Sequence, residues 1–269
     1  MKVHVTGAGG FVGRNLVAAL SRAGHEVLPA IAGAQAVVHL AAIAHRHASR
    51  QELDEVNVRL AARVGREAAA QGAQLVFLSS VKVHGEESRT PLTERSPLAA
   101  QDPYAVSKVR AEDMLGAIPN LRLAVLRPPL VYGAGVKANF LALMRAVARG
   151  WPLPLGAIKN RRSLIYVGNL VDAIVRCLSA EGTYLVCDGE PISTPVLCRE
   201  LGVALGRPAR LLPFPPALLP RKLAASLAID DSAIRERLGW RPPFTREQGL
   251  TATAAWYLGG RPIEGRDAR

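Results

Sequence analysis

The segment VTGAGGFVGRNLVAALSRAG, residues 5–24, contains the pattern that decides the fold. It continues a short β-branched strand predicted at residues 2–6, and its later apolar side chains recur at helical spacing until a glycine ends the helix. Gly7, Gly10 and Gly13 have the spacing GxxGxxG between that strand and that helix. Glycine lets the chain turn tightly and lets a pyrophosphate approach the backbone, while the helix N-terminus supplies N–H groups. The segment therefore predicts a dinucleotide-binding turn.

Strand and helix patterns alternate through the first half of the chain. The apolar run AVVHLA, residues 36–41, is typical of a parallel strand that is buried on both faces. The other predicted strands lie at 26–28, 75–79 and 122–126, and the predicted helices lie at about 52–71, 104–116 and 137–149. This alternation predicts an α/β fold, a Rossmann-like doubly wound parallel sheet.

Prolines break the chain into short elements after residue 133, which indicates a smaller substrate lobe. The predicted division assigns 1–130 to a dinucleotide-binding domain, to which 164–180 returns, and assigns 131–163 and 181–269 to the lobe. The Leu/Pro stretch 211–229 could touch a membrane surface, but its prolines forbid one long amphipathic helix. Lobe core is the preferred interpretation of this stretch.

Composition narrows the class of protein. The formal net charge is +12, but the 28 Arg residues are scattered, no run of five like charges occurs and aromatic residues are 5%, so nucleic-acid binding is disfavoured. A basic cleft for an anionic small molecule explains the charge equally well. The three cysteines are odd in number and lack CxxC spacing, which argues against disulfides and zinc and favours a cytoplasmic location. No apolar run reaches the ~18 residues of a membrane span.

Tyr104 and Lys108 stand one helical turn apart in YAVSK. This spacing suits acid–base chemistry, because a nearby ammonium lowers the pKa of a phenol and can also hold a cofactor ribose. Ser79 and Ser80 end the apolar strand LVFLSS. A hydroxyl at the carboxyl edge of a parallel sheet can hydrogen-bond an oxygen that undergoes oxidation or reduction. Together these residues predict a redox site.

At this point the sequence resembles the extended short-chain dehydrogenase/reductase family, in its nucleotide-sugar epimerase, reductase and dehydratase branch. The motifs occur in the family's order: TGAGGFVG, VVHLAA, EVNVRLAARV, LSSVKVHGE, DPYAVSK, RPPLVYG, NRRSLIYVGNLVDAI and LGWRPPFTREQGL. The resemblance implies that Ser80 is the catalytic serine, that Tyr104 is the acid/base and that Lys108 is its partner. It also implies that Asn57 supports either a proton-relay water or a helix kink near the cofactor.

The implied cofactor is NAD or NADP, with NAD slightly favoured. The cofactor-binding residues implied by the resemblance are Gly7, Gly10, Phe11, Val12, Gly13, Leu40, Ala41, Ala42, Asn57, Tyr104, Lys108, Pro129 and Val131. No acidic residue follows the second strand to bind a ribose 2′-hydroxyl. The cluster His45, Arg46 and His47, with Arg50, could meet a 2′-phosphate, but a solvated helix entry is the preferred interpretation. No metal site is predicted, because the two histidines lack a third ligand.

Within the branch, the residues after Ser80 separate the reactions. Val81 and Lys82 replace the acidic pair of sugar 4,6-dehydratases, so dehydration is not expected. The motifs look most like UDP-N-acetylquinovosamine-type 4-keto reductases and UDP-glucose 4-epimerase-like proteins of bacterial surface-polysaccharide synthesis. The resemblance implies these contacts to a UDP-sugar: Ser80, Lys82, Asn139, Phe140 and Arg162. For Asn139 and Phe140, a helix cap and a core position are equally acceptable interpretations.

The chain departs from the family between the second strand and VVHLAA, where only residues 28–35 replace a helix, a strand and their loops. A second shortening falls at 217–229, where only Arg221 is available as a further phosphate-binding arginine. Two hypotheses therefore stand: a nucleotide-sugar 4-reductase or 4-epimerase, and a non-catalytic dinucleotide-binding regulator or scaffold. By analogy, the helices at about 52–71 and 104–116 are expected to form a homodimer.

Overall fold

A computed structural model describes residues 1–44 and 48–259 of the chain. The strands are β1 (Lys2–Thr6), β2 (Glu26–Leu28), β3 (Ala36–His39), β4 (Gln74–Leu78), β5 (Arg122–Arg127), β6 (Leu130–Tyr132), β7 (Leu164–Tyr166) and β8 (Gly182–Leu185). The helices are α1 (Phe11–Arg22), α2 (Arg50–Leu53), α3 (Leu60–Ala70), α4 (Pro103–Gly116), α5 (Ala138–Arg149), α6 (Val167–Arg176), α7 (Thr194–Ala204), α8 (Arg221–Ala224), α9 (Ser232–Leu238) and α10 (Arg246–Tyr257). A π-helical turn, Asp54–Arg59, joins α2 to α3.

Six strands form one parallel sheet in the order β2-β1-β3-β4-β5-β8. Apolar side chains of α1 and α6 pack on one face, against strand residues such as Val3 and Val38. Side chains of α3 and α4 pack on the other face, against Leu75 and Phe77. Burial on both faces explains why these strands read as continuous apolar runs. The predicted doubly wound α/β sheet is confirmed.

The sheet is shortened at the predicted edge. β2 pairs with β1 and with no other strand of the described residues, and residues 29–35 lead from it directly to β3. A crossover that includes a helix needs a dozen or more residues, so this connection has no room for another helix and strand. β2 is therefore the edge strand on the side where a dinucleotide's adenine would lie in this kind of sheet.

The segments predicted to form the substrate lobe contain a second core. β6 and β7 form a separate two-stranded sheet, and buried side chains of α5, α7 and α10, including Met144, Leu201 and Leu250, share a core cluster with Tyr132 of β6. One boundary differs from the expected division at residue 181, because β8 pairs with β5 in the main sheet. A strand of four residues is too short for its hydrophobic pattern to be recognised in the sequence.

All three cysteines lie in the interior of the protein. Cys177, Cys187 and Cys198 are free and buried, and burial raises the pKa of each thiol, to about 12 for the first two and to about 11 for the third. These side chains are packing groups rather than reactive thiolates. Among the described residues, no helix is long and apolar enough to cross a membrane.

Candidate active site

The glycine turn lies between β1 and α1, as its spacing predicts. A Cβ on Gly13 would lie 2.2 Å from the carbonyl oxygen of Gly7, and a Cβ on Gly7, whose φ is +72°, would lie 2.8 Å from the amide nitrogen of Ala41. Gly10 is the N-cap of α1 and supplies no side-chain hydrogen bond, so the first-turn amides of the helix stay available to a ligand. The turn has the close backbone approach and the free donors that a pyrophosphate requires. A nicotinamide dinucleotide fits this cradle.

The segment after β3 closes one side of this cradle. The amide nitrogens of Leu40 and Ala41 donate to the Thr6 carbonyl oxygen at 3.2 Å and to Thr6 Oγ1 at 3.3 Å. Leu40, Ala41 and Ala42 are half-buried beside the glycine turn. They lie where backbone and small side chains could line a bound dinucleotide.

Asn57 lies in the π-helical turn and ties three segments together. Its amide nitrogen donates to the carbonyl oxygen of Ile43 at 3.1 Å and to Ser107 Oγ at 2.9 Å, while its Oδ1 accepts from the Ile43 amide at 2.8 Å. The π turn widens the helix where Asn57 is buried, a geometry often found at functional sites. Of the two roles that the resemblance implies for Asn57, the helix kink is the one with a direct structural counterpart.

Tyr104 and Lys108 lie one turn apart on α4, and α4 packs beside the end of β4. Lys108 Nζ donates to the carbonyl oxygen of Leu78 at 2.9 Å and lies 5.9 Å from the centre of the Tyr104 ring. Ser80 follows β4 two residues after Leu78 and caps the 3₁₀ turn Val81–His84, with its Oγ accepting from the Lys82 amide at 3.3 Å. The fold therefore brings the strand end that carries Ser80 next to the Tyr104–Lys108 pair.

Burial sets the protonation states in this region. Burial lowers the pKa of Lys108 to about 8, although Glu112 acts in the opposite direction. The pKa of Tyr104 is raised, first by burial and then by the negative charge of Asp102. The spacing predicts a lowering of the Tyr104 pKa by Lys108, but the pKa is raised instead, because desolvation of the phenolate is the larger effect. Tyr104 is therefore a protonated phenol.

A buried polar network contacts the carboxyl end of β4 through Ser79. Glu112, one turn after Lys108, forms a bidentate ion pair with Arg127 of β5 and accepts a hydrogen bond from Ser79 Oγ. Arg127 Nη1 also lies 3.0 Å from His84 Nε2, and His84 Nδ1 lies 3.1 Å from the Pro97 carbonyl oxygen. Ser79 is engaged in this network, whereas the Ser80 hydroxyl only caps the following 3₁₀ turn, and the catalytic role that the resemblance implies for Ser80 stays a prediction.

Lys82 and Asp102 connect the Ser80 turn to the Tyr104 helix. Lys82 Nζ lies 2.7 Å from Asp102 Oδ2 and 3.4 Å from Glu86 Oε1, and hydrogen bonds to these carboxylates raise the pKa of Lys82 against the opposing effect of burial. Asp102 Oδ1 accepts from the Ala105 amide at 2.7 Å and so caps α4. Lys82 thus links the turn that begins at Ser80 to the start of the helix that carries Tyr104, and the substrate contact predicted for it stays a prediction.

Arg162 lies in the segment predicted to form the lobe, and one nitrogen of its guanidinium is hydrogen-bonded to backbone carbonyl oxygens. Its Nη1 donates to the carbonyl oxygens of Lys222 and Ala225 at 3.1 and 3.0 Å. No protein partner in the described chain engages its Nε and Nη2, so a bidentate edge is left for an anion. Arg221, the other candidate for phosphate binding, pairs with Glu87 through two hydrogen bonds.

The remaining predicted residues are divided between the cleft and the core. Pro129 is buried before β6, and Val131 is half-buried within it, beside Ile165 of β7. Asn139 is exposed in the first turn of α5, but the N-cap of that helix is Lys137. Phe140 is 2% exposed and stacks on Tyr132 at 5.3 Å between ring centres, so it belongs to the lobe core rather than to a ligand surface. The cluster His45, Arg46 and His47 lies outside the described residues; Arg50 begins α2.

The groups that sequence reasoning missed are Asp102, Glu112 and Arg127. Two of them carry a local signal that could have been used, since Asp102 precedes a proline at a helix start and Glu112 lies four residues after Lys108. Arg127 has no such signal, because its partners come from segments distant in sequence.

Known proteins match the chain along most of its length. A family profile described as the NAD dependent epimerase/dehydratase family matches residues 28–187. The chain is 34% identical to a UDP-glucose 4-epimerase from Vibrio cholerae, over 95% of each protein. It is 28% identical to an N-acetyl-alpha-D-glucosaminyl-diphospho-ditrans,octacis-undecaprenol 4-epimerase from Escherichia coli O157:H7, over 83% of this chain and 78% of that protein.

Among solved structures, RMD from Pseudomonas aeruginosa, complexed with NADPH, superposes with a TM-score of 0.84. The identity is 23%, and the match covers 97% of this chain and 98% of RMD, so this likeness concerns the fold. The family profile and the Vibrio relative together span the glycine turn, the Ser80 strand end and the Tyr104 helix described above. On this evidence the chain belongs to the NAD dependent epimerase/dehydratase family, within the extended short-chain dehydrogenases/reductases.

Proposed function

We propose that the chain is an NAD(P)-dependent oxidoreductase that acts at C4 of a UDP-sugar, as a 4-keto reductase or a 4-epimerase. The observation that carries the proposal is the arrangement of Tyr104 and Lys108 beside the β4 end, with Lys108 Nζ held 2.9 Å from the Leu78 carbonyl oxygen. The Vibrio cholerae relative, a UDP-glucose 4-epimerase, supports the substrate class. The glycine turn supports NAD or NADP as the cofactor, with NAD slightly favoured.

The proton chemistry follows from the side chains of the chain. When bound, the nicotinamide supplies or accepts the hydride at C4. Tyr104, protonated because burial raises its pKa, donates its phenolic proton to the C4 oxygen during reduction and takes it back during oxidation. Ser80 Oγ donates a hydrogen bond to the same oxygen, and Lys108 places a positive charge near the phenolate that forms.

The lobe holds the rest of the substrate in this proposal. Arg162 offers the Nε and Nη2 edge of its guanidinium to the diphosphate, a geometry that matches paired phosphate oxygens. Val81 and Lys82 supply no acid and base pair for elimination across C5 and C6, so we propose no dehydration.

Turnover tests the proposal. Purified protein is mixed with UDP-sugars and their 4-keto derivatives while NADH or NADPH absorbance and C4 stereochemistry are followed. Net cofactor consumption indicates a reductase, and inversion at C4 without consumption indicates an epimerase. Tyr104→Phe should abolish turnover and leave cofactor affinity unchanged, whereas Tyr257→Phe in α10 serves as the matched control. Full activity of Tyr104→Phe would overturn the assignment of the acid/base.

The shortened edge beside β2 favours one other function, a non-catalytic dinucleotide-binding regulator or scaffold. The two functions separate in the same experiment. A cofactor that binds without any turnover of the UDP-sugar panel would support the regulator, and failure of both cofactors to bind at millimolar concentration would contradict both proposals.

We further propose that the protein acts as a cytoplasmic homodimer in the synthesis of surface-polysaccharide precursors. Val106 and Met114 are apolar and exposed on α4, one of the two helices through which two copies of the chain are expected to associate. Light scattering of the purified protein gives its mass in solution. A monomer at micromolar concentration would contradict the dimer without affecting the catalytic proposal.

A further inference from the structure

An apolar strip covers one side of the substrate lobe, from Arg210 to Leu223. Every residue from Leu212 to Leu218 is exposed, and Leu218 is 71% exposed. The strip contains Pro213, Pro215 and Pro216. Proline fixes the backbone and prevents one long helix, so the side chains of Leu212, Phe214 and Leu218 remain at the surface. The sequence interpretation placed this stretch in the lobe core, and the structure shows that only part of it lies there.

The strip is a built feature of the lobe. The Leu212 amide donates to the Leu153 carbonyl oxygen at 2.8 Å, and the Leu212 carbonyl oxygen accepts from the Gly156 amide at 2.9 Å. Leu211 and Leu219 face inward and pack with Leu155, Ile158 and Cys198. Inward leucines anchor the segment while neighbouring apolar side chains face outward, so burial in this chain does not account for the outward ones.

Charge complements this apolar surface. From residue 201 to 229 the chain contains no acidic residue, but it contains Arg207, Arg210, Arg221 and Lys222. Arg221 pairs with Glu87, and Lys222 pairs with Glu86. In both pairs the cation is the more exposed partner: the Lys222 side chain is 73% exposed, whereas that of Glu86 is 17% exposed. The exposed charged surface along the strip is therefore mainly cationic, and exposed apolar side chains beside cations are the combination that binds to an anionic lipid surface.

The strip also adjoins the candidate diphosphate residue. Arg162 Nη1 donates to the carbonyl oxygen of Lys222, and Asn160 Nδ2 donates to that of Leu223 at 3.1 Å. The exposed Leu223 is therefore flanked in the chain by Lys222 and Ala225, whose carbonyl oxygens bind Arg162. A surface that covers the strip would stand at the edge of the proposed substrate site.

We propose that residues 210–223 dock the protein reversibly on an anionic lipid bilayer. Leu212, Phe214 and Leu218 enter the interface between headgroups and acyl chains, and Arg210, Arg221 and Lys222 face the lipid phosphates. Docking places Arg162 beside the headgroup layer. The inference is independent of the catalytic proposal, since it requires neither turnover nor a bound dinucleotide.

Vesicle sedimentation tests the proposal. The full chain is mixed with vesicles of phosphatidylcholine, or of phosphatidylcholine with about a third phosphatidylglycerol, at low and high salt. We expect pelleting with the anionic vesicles, weaker pelleting at high salt and little with phosphatidylcholine alone. The variant Leu212→Ser/Phe214→Ser/Leu218→Ser should bind at least about tenfold more weakly. Val203→Ser, at an 83% exposed aliphatic position on α7, is the matched control and should bind like the unmodified protein.

Several outcomes would overturn docking. One is that the unmodified protein does not pellet with anionic vesicles. Another is that the triple variant pellets with them as well as the unmodified protein does. A variant that changes the mass in solution but leaves vesicle binding unchanged would instead identify the strip as an interface between two copies. Circular dichroism and thermal unfolding of the variants show whether they fold, and Arg210→Gln supplies a second variant that leaves the apolar side chains intact.

Discussion

Lys82 Nζ lies 2.7 Å from the Asp102 carboxylate, and this ion pair joins the turn that begins at Ser80 to the N-cap of the helix that carries Tyr104. The two hydroxyls that we propose as catalytic, those of Ser80 and Tyr104, come from segments more than twenty residues apart. Their relative position therefore depends on a cross-link between the segments, and the pair supplies one.

Lys82→Met should lower kcat about tenfold, because a small misplacement of Ser80 relative to Tyr104 is costly in a preorganised site. The free energy of unfolding should change by less than about 1 kcal/mol, since the Lys82 side chain is 40% exposed and the pair is screened by solvent. Steady-state kinetics and urea unfolding measure the two effects.

Lys82→Arg and Asp102→Asn are the informative companions of that variant. The arginine keeps the positive charge, so it should restore most of kcat, while the asparagine keeps the helix cap and removes the ion pair, so it should reproduce Lys82→Met. If Asp102→Asn retained full kcat, the ion pair would have no positioning role.

Gly13→Ala should abolish dinucleotide binding, because the new Cβ would lie 2.2 Å from the Gly7 carbonyl oxygen and 2.7 Å from that of Ala8. Gly9→Ala is the matched control in the same turn, since a methyl group added there would meet no atom within 4 Å. Fluorescence titration with NADH and NADPH measures both affinities. Equal affinities for the two variants would show that the glycine turn does not hold the cofactor.

Glu112→Gln should lower the free energy of unfolding by about 3–5 kcal/mol, because it leaves the buried Arg127 guanidinium without its counter-charge. Both side chains of this pair are 8% exposed. The control is Glu181→Gln, which breaks the exposed pair with Arg122 and should cost less than about 1 kcal/mol. Urea unfolding followed by circular dichroism compares them, and a similar small loss for both would contradict the view that the network supports the site.

The depressed pKa of Lys108 predicts a pH dependence of stability. Its pKa is about 8 in the folded protein, against an ordinary value of 10.5 for the unfolded chain, so between these values the unfolded chain binds more protons. Stability should therefore rise with pH in this window, by about 2 kcal/mol between pH 8 and pH 10. Above pH 10 the raised pKa of Tyr104 acts in the opposite direction.

Lys108→Met removes the contribution of Lys108 to the pH dependence of stability, so comparison with the unmodified protein measures that contribution. As the pH rises from 8 to 10, the unmodified protein should gain about 2 kcal/mol of unfolding free energy relative to this variant, because the penalty for burying the ammonium disappears. Urea unfolding at pH 7, 8, 9 and 10 supplies the measurement. A difference that stayed constant with pH would mean that Lys108 keeps an ordinary pKa.

Local patterns carried much of the fold and of the candidate site. GxxGxxG between a strand and a helix, the apolar run of β3 and the Tyr104–Lys108 spacing each act over fewer than twenty residues, and the structure places each of them on the expected element. The shortened edge beside β2 was also readable, because the length of residues 29–35 limits what the connection can contain.

The properties that local sequence patterns did not predict depend on contacts between distant segments and on burial. The sequence by itself determined the sheet, the family and the residue types at the proposed catalytic positions, because these follow from short-range spacing and hydrophobic period. Only the tertiary structure decided that Phe140 is core, that Glu112 meets Arg127, that the Tyr104 pKa is raised and that Leu218 faces outward. The physical reason is that desolvation and long-range pairing are set by the packed neighbours of a side chain, and these neighbours come from residues far along the chain.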